Sequence, residues 1–115
     1  MANRRSIALL SALCVNFAVF SAQGASPQYS DALAAYGQGR HEQAARMFRS
    51  LVESETRDSE TLKAHYFLAR SDMKLSRWEA ASSTLIKIHS LSPAFFREWS
   101  GDFLLGVCRR AQGKE

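Results

Sequence analysis

The residues that could do chemistry in this chain are few and widely separated. His41, His65 and His89 follow one another at intervals of 24 residues. That interval does not match the 37-residue spacing described below, so the three side chains fall at different phases of successive helices. No acidic pair or cysteine stands near them at the spacing of metal ligands. We expect no metal site and no cofactor, and we expect the histidines to face solvent or lie in loops.

Nucleophilic and acid–base chemistry is equally unsupported by the sequence. Ser82, Ser83 and Thr84 read as the polar face of a helix, and Glu53 and Glu55 lie on different faces of another. The sequence has no glycine-rich phosphate loop, nucleophile elbow or paired-carboxylate arrangement. Cys108 has the apolar neighbours Leu105 and Val107, which predicts a buried structural thiol. We therefore do not expect an enzyme.

Three sets of residues recur at one fixed interval of 37 positions. They are Tyr29, Tyr66 and Phe103; Ala32, Ala69 and Gly106; and Gly39, Ser76 and Gly113. Two further pairs share the interval, namely Ala44 with Ala81 and Phe48 with Leu85. A fixed period in this range is typical of stacked repeats, in which each unit covers the apolar face of its neighbour. Recurrent alanines predict close helix–helix crossings, and Phe48 and Leu85 then fill the space one turn along.

The elements that carry these columns are predicted to be about five antiparallel helices. Their expected ranges are 27–38, 41–55, 59–75, 77–90 and 93–112. Ser26-Pro27 and Ser92-Pro93 each supply a cap followed by proline at the first helical position. Gly39 suits a left-handed stop, Asp58 suits a cap, and Ser76 with Glu79 reads as a capping box. No segment shows strand-like alternation, so the fold class is all-α.

The columns resemble those of tetratricopeptide (TPR) repeats over residues 25–115, as about two and a half units. The residues that carry the resemblance are Ala32, Gly39, Ala44, Phe48 and Leu51; Leu68, Ala69, Ser76, Ala81, Leu85, Ile88 and Pro93; and Leu105, Gly106 and Gly113. The interval of 37 is longer than the usual 34 and is similar to repeats of bacterial envelope proteins, such as the periplasmic coordinator of the Tol-Pal system. The resemblance implies an α–α superhelix that serves as an interaction scaffold.

In such repeats the first helix of each pair lines a concave face that binds partners. The resemblance places nine residues there: Tyr29, Leu33, Tyr36, Tyr66, Arg70, Met73, Lys74, Phe103 and Arg110. Aromatic and cationic side chains suit a protein or peptide with apolar anchors and an acidic group. The alternative is that the recurrent aromatics only pack between neighbouring units.

The last predicted helix is rich in large apolar residues and has no successor to cover it. Phe95, Phe96 and Trp99 are therefore candidates for self-association or for docking onto a partner. The alternatives are that this helix lies flat as a cap and that the reading frame is truncated. The two functional hypotheses are an adaptor that binds through its concave face and an assembly subunit that docks through its C-terminal helix.

The N-terminus reads as an export signal. Arg4 and Arg5 precede the uncharged apolar stretch at residues 7–22, and small residues follow it. Cleavage is predicted after Gly24, which makes the protein periplasmic or secreted; a retained signal anchor is the alternative. Without residues 1–24 the chain keeps 13 basic and 11 acidic residues, which is too mild a balance for nucleic-acid binding.

Overall fold

The computed structural model describes residues 26–53 and 57–114, and within those ranges the chain forms six helices and no strand. The helices are α1 (Pro27–Gly37), α2 (His41–Val52), α3 (Ser59–Lys74), α4 (Trp78–Leu91), α5 (Pro93–Glu98) and α6 (Gly101–Ala111). The all-α prediction is confirmed. The predicted signal segment, residues 1–24, lies outside the described residues.

Three helix starts follow directly from the predicted capping residues. The Ser26 hydroxyl accepts a hydrogen bond from the Tyr29 amide at 3.2 Å, and Pro27 occupies the first helical position. The Asp58 carboxylate accepts from the Thr61 amide at 2.9 Å, and the Ser92 hydroxyl from the Phe95 amide at 3.2 Å. Each cap satisfies an amide that has no partner within its own helix.

The 37-residue interval also appears in the backbone conformation just after α1, α3 and α6. Gly39, Ser76 and Gly113 adopt left-handed φ angles of +79°, +59° and +72°. In each case the next residue's amide bonds the carbonyl five positions back, for example Arg77 to Asp72 at 2.8 Å. This pattern is the Schellman motif. The capping box predicted at Ser76 is wrong, because Ser76 lies in the turn that follows α3 and the residue before α4 is Arg77, whose side chain makes no cap bond.

Two apolar clusters hold the helices together, and α3 contributes to both. The first joins α1, α2 and α3 around Ala32, Ala44 and Phe48, and the second joins α3 to α4, α5 and α6 around Ala69, Ala81 and Leu85. These six side chains have relative accessibilities of 0%. The alanines at these columns are therefore buried, as the close helix crossings predicted from the sequence require. Gly106 departs from the pattern, since it is only partly buried.

The single C-terminal helix predicted over 93–112 is broken into α5 and α6. Trp99 ends α5, and Ser100 adopts a left-handed φ of +60° before α6 begins. At the break the Phe96 ring packs directly on the backbone of Gly101, where an added Cβ would overlap the ring. The break lets Phe96 enter the second cluster, at 5% accessibility, while α6 packs on α4.

Candidate partner-binding groove

The break at Ser100 leaves a groove between α3 and the α5–α6 segment. Its volume is about 780 Å³. The groove is lined by Tyr66, Arg70, Met73, Lys74, Trp78, Glu98, Trp99, Ser100, Phe103, Leu104 and Val107. Mostly apolar walls with a few polar groups at the rim are typical of ligand and peptide sites.

The aromatic side of the groove is formed by Tyr66 and Trp99, and Phe95 supports Trp99 from outside the lining. The rings of Tyr66 and Trp99 meet edge to face with centroids 4.9 Å apart, and Trp99 stacks on Phe95 at 4.9 Å. Edge-to-face and stacked contacts hold such rings in place beyond what simple burial contributes. Phe103, by contrast, leaves 64% of its surface exposed. This side of the groove thus combines the packed rings of Tyr66 and Trp99 with the solvent-exposed ring of Phe103.

The cationic part of the groove is positioned by α3. A guanidinium nitrogen (Nη1) of Arg70 donates a 2.8 Å hydrogen bond to the Tyr66 hydroxyl, one helical turn back. The same guanidinium lies 5.7 Å from the centre of the Tyr66 ring, within the range of a cation–π contact. Lys74 lies one turn further along α3 and also lines the groove, as does the acidic residue Glu98 of α5. One rim of the groove is therefore basic and carries an oriented arginine.

Five of the nine residues predicted to line the concave face lie together in this groove. They are Tyr66, Arg70, Met73, Lys74 and Phe103. Tyr29 is buried in the first cluster, and Leu33 and Tyr36 pack half-buried against it. Arg110 is exposed on α6 outside the groove lining. The structure gathers the predicted residues of the second unit with Phe103 of the third, and it leaves those of the first unit in or against the core.

The recurrent aromatic column explains this division. Tyr29 is 7% accessible, Tyr66 is half-buried and Phe103 is 64% accessible, although the three occupy equivalent positions 37 residues apart. Tyr29 packs on Phe48 of α2, with ring centroids 6.2 Å apart. The equivalent position beside Phe103 has no such covering helix among the described residues. The packing reading of the column therefore fits Tyr29, and the surface reading fits Phe103.

Sequence reasoning missed six groove residues, five of which lie in the α5–α6 segment and one, Trp78, at the start of α4. They are Trp78, Glu98, Trp99, Ser100, Leu104 and Val107. A continuous helix over 93–112 would point Trp99 and Phe103 along one face, so the groove depends on the break. The dipeptide Ser100-Gly101 was the available signal, because such pairs mark turns.

The three residues predicted to mediate self-association occupy different environments. Phe96 is buried against Gly101 and contacts the His89 ring at 5.0 Å. Phe95 and Trp99 are half-buried and stack on each other. Phe103 is the large apolar residue that this end of the chain exposes most.

A buried carboxylate on α3 lies close to charged residues of α2 and of the α3–α4 turn. Asp72 is 1% accessible, and its carboxylate lies 3.8 Å from the guanidinium groups of both Arg49 and Arg77. Burial raises the Asp72 pKa above its usual range, and the two arginines only partly oppose that effect. Arg77 also donates a 2.5 Å hydrogen bond to Glu42, which lowers the Glu42 pKa. The network ties α2 to the turn that follows α3.

The remaining candidates for chemistry are Cys108 and the three histidines. Cys108 is 0% accessible, as predicted, and burial raises the pKa of its thiol. The expectation that the histidines face solvent fits His89 but is wrong for His65, which is 4% accessible, and for His41, which is half-buried against Tyr36. Among the described residues no three His, Cys, Asp or Glu side chains are grouped to hold a metal ion.

Comparison with known proteins gives no match: no family model, curated protein or solved structure is significantly similar to the chain. None of the helices within residues 26–53 and 57–114 has the length and apolar character needed to span a bilayer.

Proposed function

We propose that this chain is an exported adaptor built from TPR-like helical hairpins, which binds a segment of a protein or peptide in the groove between α3 and α6. The proposed ligand is an extended or helical segment with one large apolar side chain and an acidic group. The apolar side chain packs against Phe103 and Trp99, and the acidic group pairs with Arg70. Binding, not catalysis, is the proposed activity.

The observation that carries the proposal is the exposure of Phe103 beside an ordered aromatic and cationic surface. A phenylalanine that is 64% exposed contributes little to folding, yet a partner side chain could bury it. Aromatic residues and arginine dominate the energetics of protein interfaces. Arg70 is held by Tyr66 before any ligand arrives, which reduces the side-chain entropy lost on binding.

The superhelical arrangement and the relation to TPR repeats belong to the same proposal. They are supported by the helix ends at Gly37, Lys74 and Ala111, which are 37 residues apart, and by the helix starts at His41 and Trp78. The three Schellman motifs recur at the same interval. Antiparallel hairpins with short, repeated turns are the basic unit of such arrays.

A peptide array tests the groove. Labelled full chain is applied to an array of peptides that vary the apolar anchor and the position of an acidic residue. We expect aromatic or leucine anchors with a nearby acid to bind best, and Phe103→Ser to weaken binding by at least about tenfold. Ile86→Ser is the matched control, because Ile86 is 54% exposed on α4 and lies outside the groove lining. Equal losses in both variants would contradict the proposal.

The charge part is tested with Arg70→Ala, with Arg97→Ala as its control. Arg97 is exposed on α5 and is not part of the groove lining. We expect Arg70→Ala to weaken acidic peptides selectively and to reduce the salt dependence of their binding. A uniform effect on acidic and neutral peptides would argue against a carboxylate contact at Arg70.

A second candidate function is that of an assembly subunit that docks onto a larger complex or a second copy through its C-terminal segment. Phe103 favours this candidate too, whereas Phe96 is buried and Phe95 and Trp99 are half-buried. Light scattering on the purified chain separates the two candidates, since an obligate dimer sensitive to Trp99→Ala or Phe103→Ser would favour assembly.

Export to the periplasm or the medium is also a proposal, supported by the basic start and apolar stretch in residues 1–24. Mass determination of the protein from the cell envelope tests it. Loss of residues 1–24 is the expected result, and an intact N-terminus in the membrane fraction would favour a retained anchor.

A further inference from the structure

Glu98 is the one acidic residue among the described residues that line the groove, and the proposed function gives it no role. It is the last residue of α5 and is exposed. Arg70 and Lys74 line the same groove from α3. Neither cation forms an ion pair with Glu98 within the part of the chain that the structure describes. The groove therefore carries a carboxylate and two cations that do not neutralise one another.

The contacts of Trp99 place Glu98 at one end of this arrangement of charges. The Trp99 ring meets the Tyr66 ring with centroids 4.9 Å apart, so the residue before Trp99 lies near the part of α3 that carries Tyr66. Arg70 and Lys74 follow Tyr66 by one and two helical turns, which is about 6 and 12 Å along the helix axis. The negative charge thus lies near the Tyr66 end, and the positive charges lie toward the C-terminal end of α3.

A ligand side chain in the groove contacts the apolar and the charged groups together. Trp99 and Phe103 are lining residues, as are Glu98 and Arg70. An apolar side chain that packs on the two rings removes water from the charged groups beside them. A charged group that loses water without gaining a partner raises the free energy of the complex. The ligand residues that flank the apolar side chain therefore need charges that match both ends of the groove.

The carboxylate of Glu98 also disfavours one class of ligand. A basic side chain near Glu98 is attracted, whereas an acidic side chain at the same place is repelled. Contacts between like charges are a common means of excluding the wrong partner. A wholly acidic segment, which Arg70 and Lys74 alone would favour, is therefore a poor ligand for this groove.

We propose that the groove selects a segment that carries one basic and one acidic residue with a large apolar residue between them. The basic residue contacts Glu98, and the acidic residue pairs with Arg70. In an extended ligand, which advances about 3.3 Å per residue, the two charged residues are about two to four positions apart. This inference rests on the proposed function, since it requires a ligand in the groove. It adds the basic residue and assigns its selection to Glu98.

Three peptides test the charge pattern, each acetylated and amidated so that its termini are uncharged. At alternate positions of a serine and glycine sequence they carry lysine, phenylalanine and glutamate; glutamine, phenylalanine and glutamate; or glutamate, phenylalanine and glutamate. The two tryptophans of the chain, Trp78 and Trp99, both line the groove, so their fluorescence reports binding to the full chain. At low salt we expect the lysine peptide to bind about two- to fivefold more tightly than the glutamine peptide. The doubly acidic peptide is expected to bind most weakly.

Variants of Glu98 test whether this residue makes the selection. Glu98→Gln is expected to bring the affinities for the lysine and glutamine peptides within about twofold of each other. Glu98→Lys is expected to reverse the order, so that the doubly acidic peptide binds most tightly. Asp102→Asn is the matched control and should keep the wild-type order, because Asp102 is exposed on α6 outside the groove lining. High salt should reduce all of these differences.

Phe103→Ser separates the failure of this inference from the failure of the proposed function. If Phe103→Ser weakens all three peptides but Glu98→Gln keeps the wild-type order, peptides bind in the groove and Glu98 does not select them. If Phe103→Ser weakens none of them, or if no peptide binds at millimolar concentration, the proposed function fails as well. Equal binding of the lysine and doubly acidic peptides to the wild type would also overturn the inference. So would an Asp102→Asn variant that alters the order as much as Glu98→Gln.

Discussion

Ser76 adopts the same left-handed backbone conformation as Gly39, 37 residues before it, with φ of +59° against +79°. Both residues end a helix through the same pair of backbone hydrogen bonds. A side chain is tolerated at this position but strains it, because Cβ lies close to the following carbonyl oxygen in the left-handed region.

Replacing Ser76 with glycine is therefore expected to stabilise the protein. Relief of the left-handed strain outweighs the extra freedom that glycine has in the unfolded chain, for a net gain of about 0.5–1 kcal/mol. Urea unfolding measures it. Gly39→Ala is the reverse experiment and should lower the free energy of unfolding by about 1 kcal/mol. A loss of stability in Ser76→Gly would mean that the serine side chain makes a contribution larger than the strain.

The buried carboxylate of Asp72 predicts a specific pH dependence. Burial raises its pKa in the folded state, so the folded protein holds the proton more tightly than the unfolded chain does. The stability linked to this proton is fully present below the ordinary aspartate pKa of about 3.9 and is lost as pH rises through the raised pKa. Asp72→Asn, which cannot ionise, is therefore expected to be more stable than the wild type at pH 7 and to lose that advantage near pH 4.

Denaturant unfolding of both proteins between pH 4 and pH 7.5 measures the difference. Asp102→Asn is the control, because Asp102 is exposed in the first turn of α6. A wild type more stable than Asp72→Asn at pH 7 would show that the pairs with Arg49 and Arg77 outweigh the desolvation of the carboxylate.

Two neighbouring alanines of α4 test the close contact between α3 and α4. Ala81 is 0% accessible in the second cluster, whereas Ala80 is exposed. Ala81→Leu is expected to overpack the crossing and lower the free energy of unfolding by about 1–3 kcal/mol. Ala80→Leu should change it by no more than about 0.5 kcal/mol. Thermal melts of the pair give the comparison, and equal effects would contradict the assigned packing.

Two glycines of α6 are expected to respond to alanine in opposite directions. A Cβ at Gly101 would overlap the Phe96 ring, so Gly101→Ala should destabilise the protein by about 1–3 kcal/mol. Gly106 has open space around it within a regular helix, so Gly106→Ala should stabilise by about 0.5–1 kcal/mol. Thermal unfolding of both variants decides the point. A neutral Gly101→Ala would mean that Phe96 can move away freely.

The sequence predicts most of the helical framework because its signals are local. The caps at Ser26, Asp58 and Ser92 and the left-handed stop at Gly39 need only neighbouring residues to act. The alanine columns predict the buried crossings because a helix–helix contact requires a small side chain on both partners. The column of Gly39, Ser76 and Gly113 also indicates a left-handed conformation at Ser76, and this repeated signal outweighs the local capping pattern.

The groove could be predicted only in part, because it depends on contacts between distant segments. The repeat predicts five residues of the groove, but Trp99 and Glu98 reach it only because the chain turns at Ser100. That turn is favoured by Phe96 entering the second cluster, which is a tertiary effect with a weak local signal. The ion pairs of Asp72 likewise involve arginines of α2 and of the α3–α4 turn, which no short pattern in α3 reveals.

The helix α3 supplies Ala64 and Leu68 to one cluster and Ala69 to the other. Unfolding of either half of the molecule would therefore expose one apolar face of this shared helix to solvent. A substitution in either hairpin should therefore shift one common unfolding transition. The two ends of the protein are thermodynamically linked through a single helix. A ligand bound at one end would therefore also stabilise the other end against unfolding.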